Sequence, residues 1–470
     1  MSEGAVQSPG LFDRAWRRIA GVWRDMASGV AADEDDSISA QMEACLRARG
    51  GEVSARNRAA KLAETYLELD PDGREQFLRT LARFDSDGAG LGDALATIQA
   101  AADPAERAAA QARMRRLLEP PRVKLLTQFA SIPDGVKFLV DLRATLLATV
   151  GDDKQLAALE GDLRQLLSNW FDIGFLELVR IDWNTPASLL EKLVGYEAVH
   201  EIRSWSDLKN RLDSDRRCYA LFHPRMPSEP LIFVEVALVR GLADSVQRLL
   251  DKKAPVLDPG QADTAIFYSI SNCQAGLAGI SFGNFLIKRG VDLLSQEFRN
   301  LKMFATLSPL PGFRSWLDRV LDADEPDLLS DEEASSLRTA APADSAAHET
   351  GVAALRAILA KRGWLRDQAM RRAAEGPLLR LAARYLLTAE GKRGRRALDP
   401  VAHFHLSNGA RVERLNMGAD TSEKGLRESA SVMVNYLYDP ARIESHHEDY
   451  AGLGKRNAST AVRRLARGWV

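Results

Sequence analysis

A chain of 470 residues with 46% hydrophobic content is too long for one ordinary core and long enough for two or three domains, two being the working number. Its 63 Lys and Arg nearly balance 65 Asp and Glu, so the global field offers nothing to a polyanion such as nucleic acid, while a local basic patch for a small phosphorylated ligand stays open. No apolar run approaches the roughly 20 residues that span a bilayer, and neither a secretory signal nor a peroxisomal tag at Arg467-Gly468-Trp469-Val470 is evident. Cys45, Cys218 and Cys273 are scattered without CxxC spacing, against a disulfide framework or structural zinc. A soluble, cytoplasmic protein with no membrane partner is expected.

Leu11 to Met26 (LFDRAWRRIAGVWRDM) is Arg-rich and amphipathic, like a transit peptide or membrane-surface helix, but Asp13 and Asp25 interrupt it. An N-terminal packing helix or arm is the preferred reading. From about Asp36 to Asn169, Ala, Leu, Arg and Glu dominate, and apolar residues recur at helical spacing, as in Ala60, Ala63, Leu67 and in Leu125, Phe129. Breaks are predicted at Pro71-Asp72-Gly73, Asp85-Ser86-Asp87-Gly88, Pro120-Pro121 and Pro133-Asp134-Gly135, spacings suited to a bundle. Gly88-Ala89-Gly90-Leu91-Gly92 reads as an interhelical turn, and no fixed-period repeat is present.

At Asn169 to Trp183 aromatic and β-branched residues replace the Ala-rich texture. The fold class read here is therefore α+β, with a helical domain over 1–168 and a mixed α/β domain over 169–470. Leu231 to Leu238 and Thr264 to Ile270 are short apolar runs with the signature of strands buried on both faces. A glycine loop follows, then a helix over Asn284 to Phe298. Asp327 to Gly351 has little to bury and reads as a surface excursion or mobile insert. Helices resume from Val352 to Thr388, before a basic turn, Lys392 to Arg396, read as solvated surface that a phosphate could also meet.

Gly276, Gly279 and Gly283 lie between predicted strand and predicted helix, where backbone N–H groups favour a phosphate. The spacing is neither a Walker loop nor GxGxxG, and on the residues alone a tight turn or close packing is the commoner reason for such glycines. Ser308, in Leu307-Ser308-Pro309-Leu310-Pro311-Gly312, reads alone as a turn residue or cap. His403 and His405 would share a face if their segment is a strand, and Asn408-Gly409 would turn it into a hairpin. A metal pair lacks an evident third ligand, and a structural histidine is commoner. Ser422 reads equally as a helix cap, Tyr438 as a buried tyrosine with a satisfied hydroxyl, and His446-His447-Glu448 as surface without a role.

Longer blocks resemble the malonyl-CoA decarboxylase family: Cys218 to Leu238, Ala265 to Val291, Phe304 to Phe313, and Asp399 to Tyr438 with DPVAHFHLSNGARVERLN and ADTSEKGLRES. The resemblance covers essentially everything from about Asn169 onward, in order. Ala278-Gly279-Ile280-Ser281-Phe282-Gly283 also looks like the pyrophosphate loop of the GNAT-type acetyltransferase fold, with Ala278 where Gln or Arg is usual and Ser281 where Gly is usual. The resemblance implies a GNAT-like catalytic domain and conversion of malonyl-CoA to acetyl-CoA and carbon dioxide without metal or added cofactor. It also implies self-association of the N-terminal helices, with a homotetramer expected. It places the catalytic serine on Ser308 and histidine on His405, further active-site positions on Ser422 and Tyr438, and coenzyme A binding on Ala278, Gly279, Ile280, Ser281, Phe282, Gly283 and Asn284.

The chemistry is compatible. Loss of carbon dioxide leaves charge on a thioester enolate, so a site must stabilise an oxyanion and protonate the α-carbon. A histidine suits the second task, and His405 is the expected proton donor, with Ser308 hydrogen-bonding substrate rather than forming an acyl-enzyme. The rival expectations are a coenzyme A-dependent acyltransferase and a non-catalytic acyl-CoA-sensing scaffold.

Overall fold

The computed structural model describes residues 11–28, 37–47, 51–280, 283–323, 325, 328–343, 349–391 and 394–467. The chain forms two compact units: Met1–Glu177 with Leu221–Leu231 and Asn272–Phe282, and Leu178–Ala220 with Ile232–Ser271 and Gly283–Val470.

The first unit is built from helices whose ends follow their capping chemistry. Helices stop at Glu68, Ala82, Leu118 and Ala130 and restart at Pro71, Gly88, Pro121 and Gly135, the four breaks expected. Asp70, Asp103 and Asp153 each cap a helix by accepting backbone N–H groups of its first turn, and proline opens three helices where its missing N–H costs nothing. Gly88-Ala89-Gly90-Leu91-Gly92 corrects the sequence reading. Asp87 accepts the Ala89 N–H, so the glycines form the first turns of the helix Gly88–Ala100 rather than a turn between helices.

Inside this unit, Tyr66, Phe77, Phe129 and Phe138 meet edge to face, with Phe138 touching Tyr66 and Phe129 at centroid distances of 5.5 and 5.1 Å. Trp23, from the helix Leu11–Ala27, adds its ring to Phe138 and donates its Nε1–H to the Pro133 carbonyl. The Arg-rich N-terminal segment is thus a packing helix, held by a buried indole. Among the described residues, no helix is long and apolar enough to cross a membrane.

The second unit is organised by a mixed sheet. Among the described residues its strands are β1 (Glu177–Ile181), β2 (Arg216–Phe222), β3 (Ile232–Val239), β4 (Thr264–Asn272), β5 (Met303–Thr306), β6 (Ser308–Pro309), β7 (Arg411–Asn416) and β8 (Met433–Tyr438). The order is β1-β2-β3-β4-β5-β8-β6, with β7 also paired to β8. β4 and β5 run parallel, with the helix Gly283–Glu297 between them in the chain, and β8 is antiparallel to β5, β6 and β7. A parallel pair needs such a crossover. Helices followed by a mixed sheet is the fold class read from the sequence.

Alternation sorts the residues of β5, β6 and β8 onto two faces. Ala305, Leu307 and Met433 enter an apolar cluster with Ala237, Ile266 and Tyr268, and Leu437 packs against it. Thr306, Ser308, Tyr436 and Tyr438 therefore take the other face. The Asp327 to Gly351 stretch is more ordered than expected where it is described: Ser330 and Glu333 close a capping box on the helix Asp331–Ala340, and buried Leu337 anchors it. Residues 327 and 344–348 lie outside the described residues, as do 392 and 393 of the basic turn.

Candidate active site

Ser308, His405 and Tyr438 come together through one helix and two strands. Ser308 opens β6 and pairs with Val434 of β8, whose far end carries Tyr438 opposite Phe304 of β5. His405 lies in the helix Pro400–Ser407, so the condition under which the two histidines would share a face, a strand, does not hold. Asp399 followed by Pro400 is a helix-start signal, an acceptor at the N-cap and proline at the first position, and it outweighs the apolar alternation of the segment. Residues two apart on a helix diverge by about 200°. His403 Nδ1 accordingly meets Tyr450 Oη at 2.8 Å, whereas His405 turns into the site. Asn408-Gly409 ends this helix rather than turning a hairpin: Asn408 N–H reaches the Phe404 and His405 carbonyls, and Gly409 has φ +79°.

The His405 ring is held on both nitrogens. Nε2 is 3.0 Å from Ser308 Oγ, and Nδ1 is 2.7 Å from Tyr438 Oη. Ser308 donates to Thr306 Oγ1 at 2.9 Å, and that oxygen also accepts the Tyr436 N–H at 3.1 Å. Tyr436 stacks on the imidazole at 4.5 Å between centroids. Ser308 and His405 are 5% and 2% exposed, and Thr306 and Tyr436 are fully buried.

Burial pushes the His405 imidazole down to about 3 and the Tyr438 phenol well above its ordinary range. Both are neutral near pH 7. Because the single Ser308 proton points to Thr306, Ser308 Oγ accepts from His405 Nε2–H. A neutral ring with its proton on Nε2 has a bare Nδ1, which accepts from Tyr438 O–H. The result is one directional chain, Tyr438 to His405 to Ser308 to Thr306. Such a chain can hold a proton donor at a fixed atom and respond to an arriving negative charge.

Thr306 and Tyr436 were missed in the sequence. Their signal was spacing: each lies two residues from a matched position on a strand, hence on the same face.

Ser422 has a different placement. Its Oγ accepts the Gly425 N–H at 3.0 Å and caps the helix Glu423–Ser429, at the wall of a cavity of about 670 Å³ also lined by His200, Arg211, Asp420 and Lys424. A smaller cavity, about 140 Å³, shares His200, Asp420 and Lys424 with it and reaches Pro309 and Pro311, beside Ser308.

The expected coenzyme A loop is partly described. Gly279 has φ +77°, a left-handed backbone suited to glycine, and Ala278 and Ile280 flank it in a turn. Ser281 and Phe282 lie outside the described residues, and Gly283 and Asn284 begin the helix Gly283–Glu297. Gly276 has a packing role: a Cβ there would stand 1.7 Å from the Val140 carbonyl oxygen, and the Gly276 carbonyl accepts from buried Arg143. Among the described residues, no group of three or more His, Cys, Asp or Glu is placed to hold a metal.

Comparison with known proteins agrees with the sequence blocks. The profile of the malonyl-CoA decarboxylase C-terminal domain matches residues 174–469, and that of the N-terminal domain matches 84–171. The chain is 35% identical over 471 residues to mitochondrial malonyl-CoA decarboxylase of Anser anser anser, covering 95% of this chain and 92% of that protein. Identity to the mitochondrial enzyme of Mus musculus is 37% over 368 residues, covering 76% and 73%. The crystal structure of malonyl-CoA decarboxylase from Rhodopseudomonas palustris superposes with a TM-score of 0.81 at 42% identity, over 91% of this chain and 99% of that one. The Agrobacterium vitis structure gives 0.81 at 41%, with the same coverage. The protein belongs to the malonyl-CoA decarboxylase family and is a carboxy-lyase.

Proposed function

We propose that this chain converts malonyl-CoA to acetyl-CoA and carbon dioxide without an added cofactor, with Ser308 and His405 as the reacting pair. The bond between the carboxylate carbon and the α-carbon breaks, and its electron pair passes into the thioester enolate. The enolate α-carbon then takes a proton from His405. The observation that carries this reading is the doubly held imidazole: a buried histidine between a tyrosine and a serine, the serine being followed by Pro309 and Pro311, which line a small cavity.

The free ring is neutral, so before it can act as an acid it takes up a second proton from solvent, the one proton that the overall conversion consumes. A substrate carboxylate and the developing enolate supply the required bias, because a nearby negative charge raises a histidine pKa. Tyr438 tolerates the change, since its hydroxyl can donate to bare Nδ1 or accept from Nδ1–H. Ser308 hydrogen-bonds the substrate carboxylate or thioester carbonyl and forms no acyl-enzyme. Positions 278–284 hold the coenzyme A pyrophosphate, and Ser422 acts through the cavity wall as a substrate-facing residue.

The test is purified protein with malonyl-CoA alone: acetyl-CoA and carbon dioxide are expected, with no acceptor added. Turnover that demands an amine or hydroxyl acceptor would point to the acyltransferase alternative, and binding without turnover to the acyl-CoA-sensing scaffold. His405→Asn is expected to abolish most turnover while keeping coenzyme A binding, and a covalent acyl-serine trapped during turnover would overturn the non-covalent role of Ser308. We further propose a cytoplasmic homotetramer associating through residues 1–168, with malonyl-CoA and acetyl-CoA as its small-molecule partners. The scattered cysteines, without CxxC spacing, fit a reducing compartment. Sedimentation of the whole chain and of a chain lacking residues 1–168, with cell fractionation, checks both.

A further inference from the structure

We infer that Asp399 is a positioning residue for the decarboxylation: one buried carboxylate sets the spacing between the helix that carries His405 and the turn that follows Ser308. The inference rests on the assignment of Ser308 and His405 as the reacting pair. Asp399 is 1% exposed. Its Oδ1 accepts the N–H groups of Val401 and Ala402 at 3.0 and 2.9 Å, capping the helix Pro400–Ser407. Its Oδ2 faces elsewhere, accepting the Gly312 N–H at 3.3 Å and the Tyr385 O–H at 3.2 Å.

Capping a helix needs only the first oxygen, and serine or asparagine does it as well as aspartate. The second oxygen connects three segments. Gly312 lies in the Leu310–Phe313 turn that follows β6, and Tyr385 belongs to the long helix Gln368–Thr388. The approach is close enough to require glycine: a Cβ on Gly312 would lie 2.4 Å from Tyr385 Oη. Tyr385 is itself fixed by ring contacts with Phe313 and Trp316 at 5.7 and 5.2 Å, so the anchor point is rigid. Burial raises Asp399, while the Ala402 and Gly312 N–H groups and the Tyr385 hydroxyl oppose that rise. A carboxylate kept in this setting without a cationic partner among its hydrogen bonds has a role that a neutral cap would not fill.

A loosened clamp changes the Ser308 to His405 separation without touching substrate. Misplacement on the scale of 1 Å costs about 100-fold in rate, so the signature is in kcat. Asp399→Ser and Asp399→Asn keep the cap, but neither can accept two donors at the Oδ2 position. Each is expected to lose about 10-fold to 100-fold in kcat for malonyl-CoA with KM changed less than about 2-fold. Parent kcat in either folded variant would overturn the inference, as would a loss confined to KM. If both variants fail to fold, Tyr385→Phe decides, since it removes one partner of Oδ2 and leaves the cap: kcat is expected to fall with KM unchanged, and parent kcat overturns the role. His405→Asn separates the two levels. Parent turnover in His405→Asn defeats the assignment of the pair, whereas an inactive His405→Asn beside a fully active Asp399→Ser defeats only the role of Asp399.

Discussion

The hydroxyl of Tyr438 lies 2.7 Å from Nδ1 of His405, on the edge of the imidazole opposite Ser308. Tyr438 satisfies the ring nitrogen that the Ser308 to Thr306 bond leaves bare, although it is two bonds of the chain away from Ser308. Tyr438→Phe removes the donor and leaves Nδ1 buried without a partner, a loss of about 1–3 kcal/mol in stability. The ring loses the partner that holds its Nδ1 edge, and kcat is expected to fall about 10-fold or more. Initial rates of acetyl-CoA formation and a denaturant melt of the variant check both.

His405 also gives the fold an acid-sensitive element. Its folded pKa, about 3, lies below the ordinary value of about 6.5 in the unfolded chain. The unfolded state therefore takes up the proton first. The histidine's contribution to stability is complete above about pH 6.5 and is lost as pH falls toward 3, with a slope of about 1.4 kcal/mol per pH unit inside that window. His200, held near 4 mainly by burial, adds to the same limb. Urea melts between pH 7 and pH 4.5 should show a shallower acid limb for His405→Asn than for the parent protein.

Thr306 is the terminal acceptor of the chain. Thr306→Val keeps the β-branched shape but removes the oxygen that accepts both Ser308 O–H and Tyr436 N–H. A buried N–H without a partner costs about 1–3 kcal/mol, and the Ser308 proton turns toward His405, reversing the tautomer. Stability and kcat should fall together, and Thr306→Ser should restore most of both. Denaturant melts and steady-state rates measured on both variants provide the check.

Ser422 separates capping from substrate contact. Ser422→Ala should cost about 1 kcal/mol through loss of the cap on Glu423–Ser429, and Ser422→Asn should recover it. If the hydroxyl also faces substrate, KM stays raised in Ser422→Asn after stability has returned. Thermal melts paired with KM for malonyl-CoA distinguish the two roles.

Local chemistry alone settled much of this protein. Helix boundaries in the first unit followed Asp and Pro caps, because the orphan N–H groups of a first turn are satisfied by the residues next to them. The buried strands β3 and β4 were legible as apolar runs, and the blocks of family resemblance were legible by order. The histidine segment stayed open between strand and helix because a pattern over a few residues does not separate the two, although Asp399-Pro400 held the deciding signal.

Only tertiary structure could bring Ser308, 97 residues before His405, to 3.0 Å from its Nε2 and place Tyr438 on the other nitrogen. It also chose His405 over His403, by turning one ring into the core and the other toward Tyr450. Thr306, Tyr436 and the second oxygen of Asp399 took their meaning from the same convergence. The sequence specifies side chains and local caps, whereas the direction of a hydrogen bond between distant segments depends on burial, which excludes water as a competing partner.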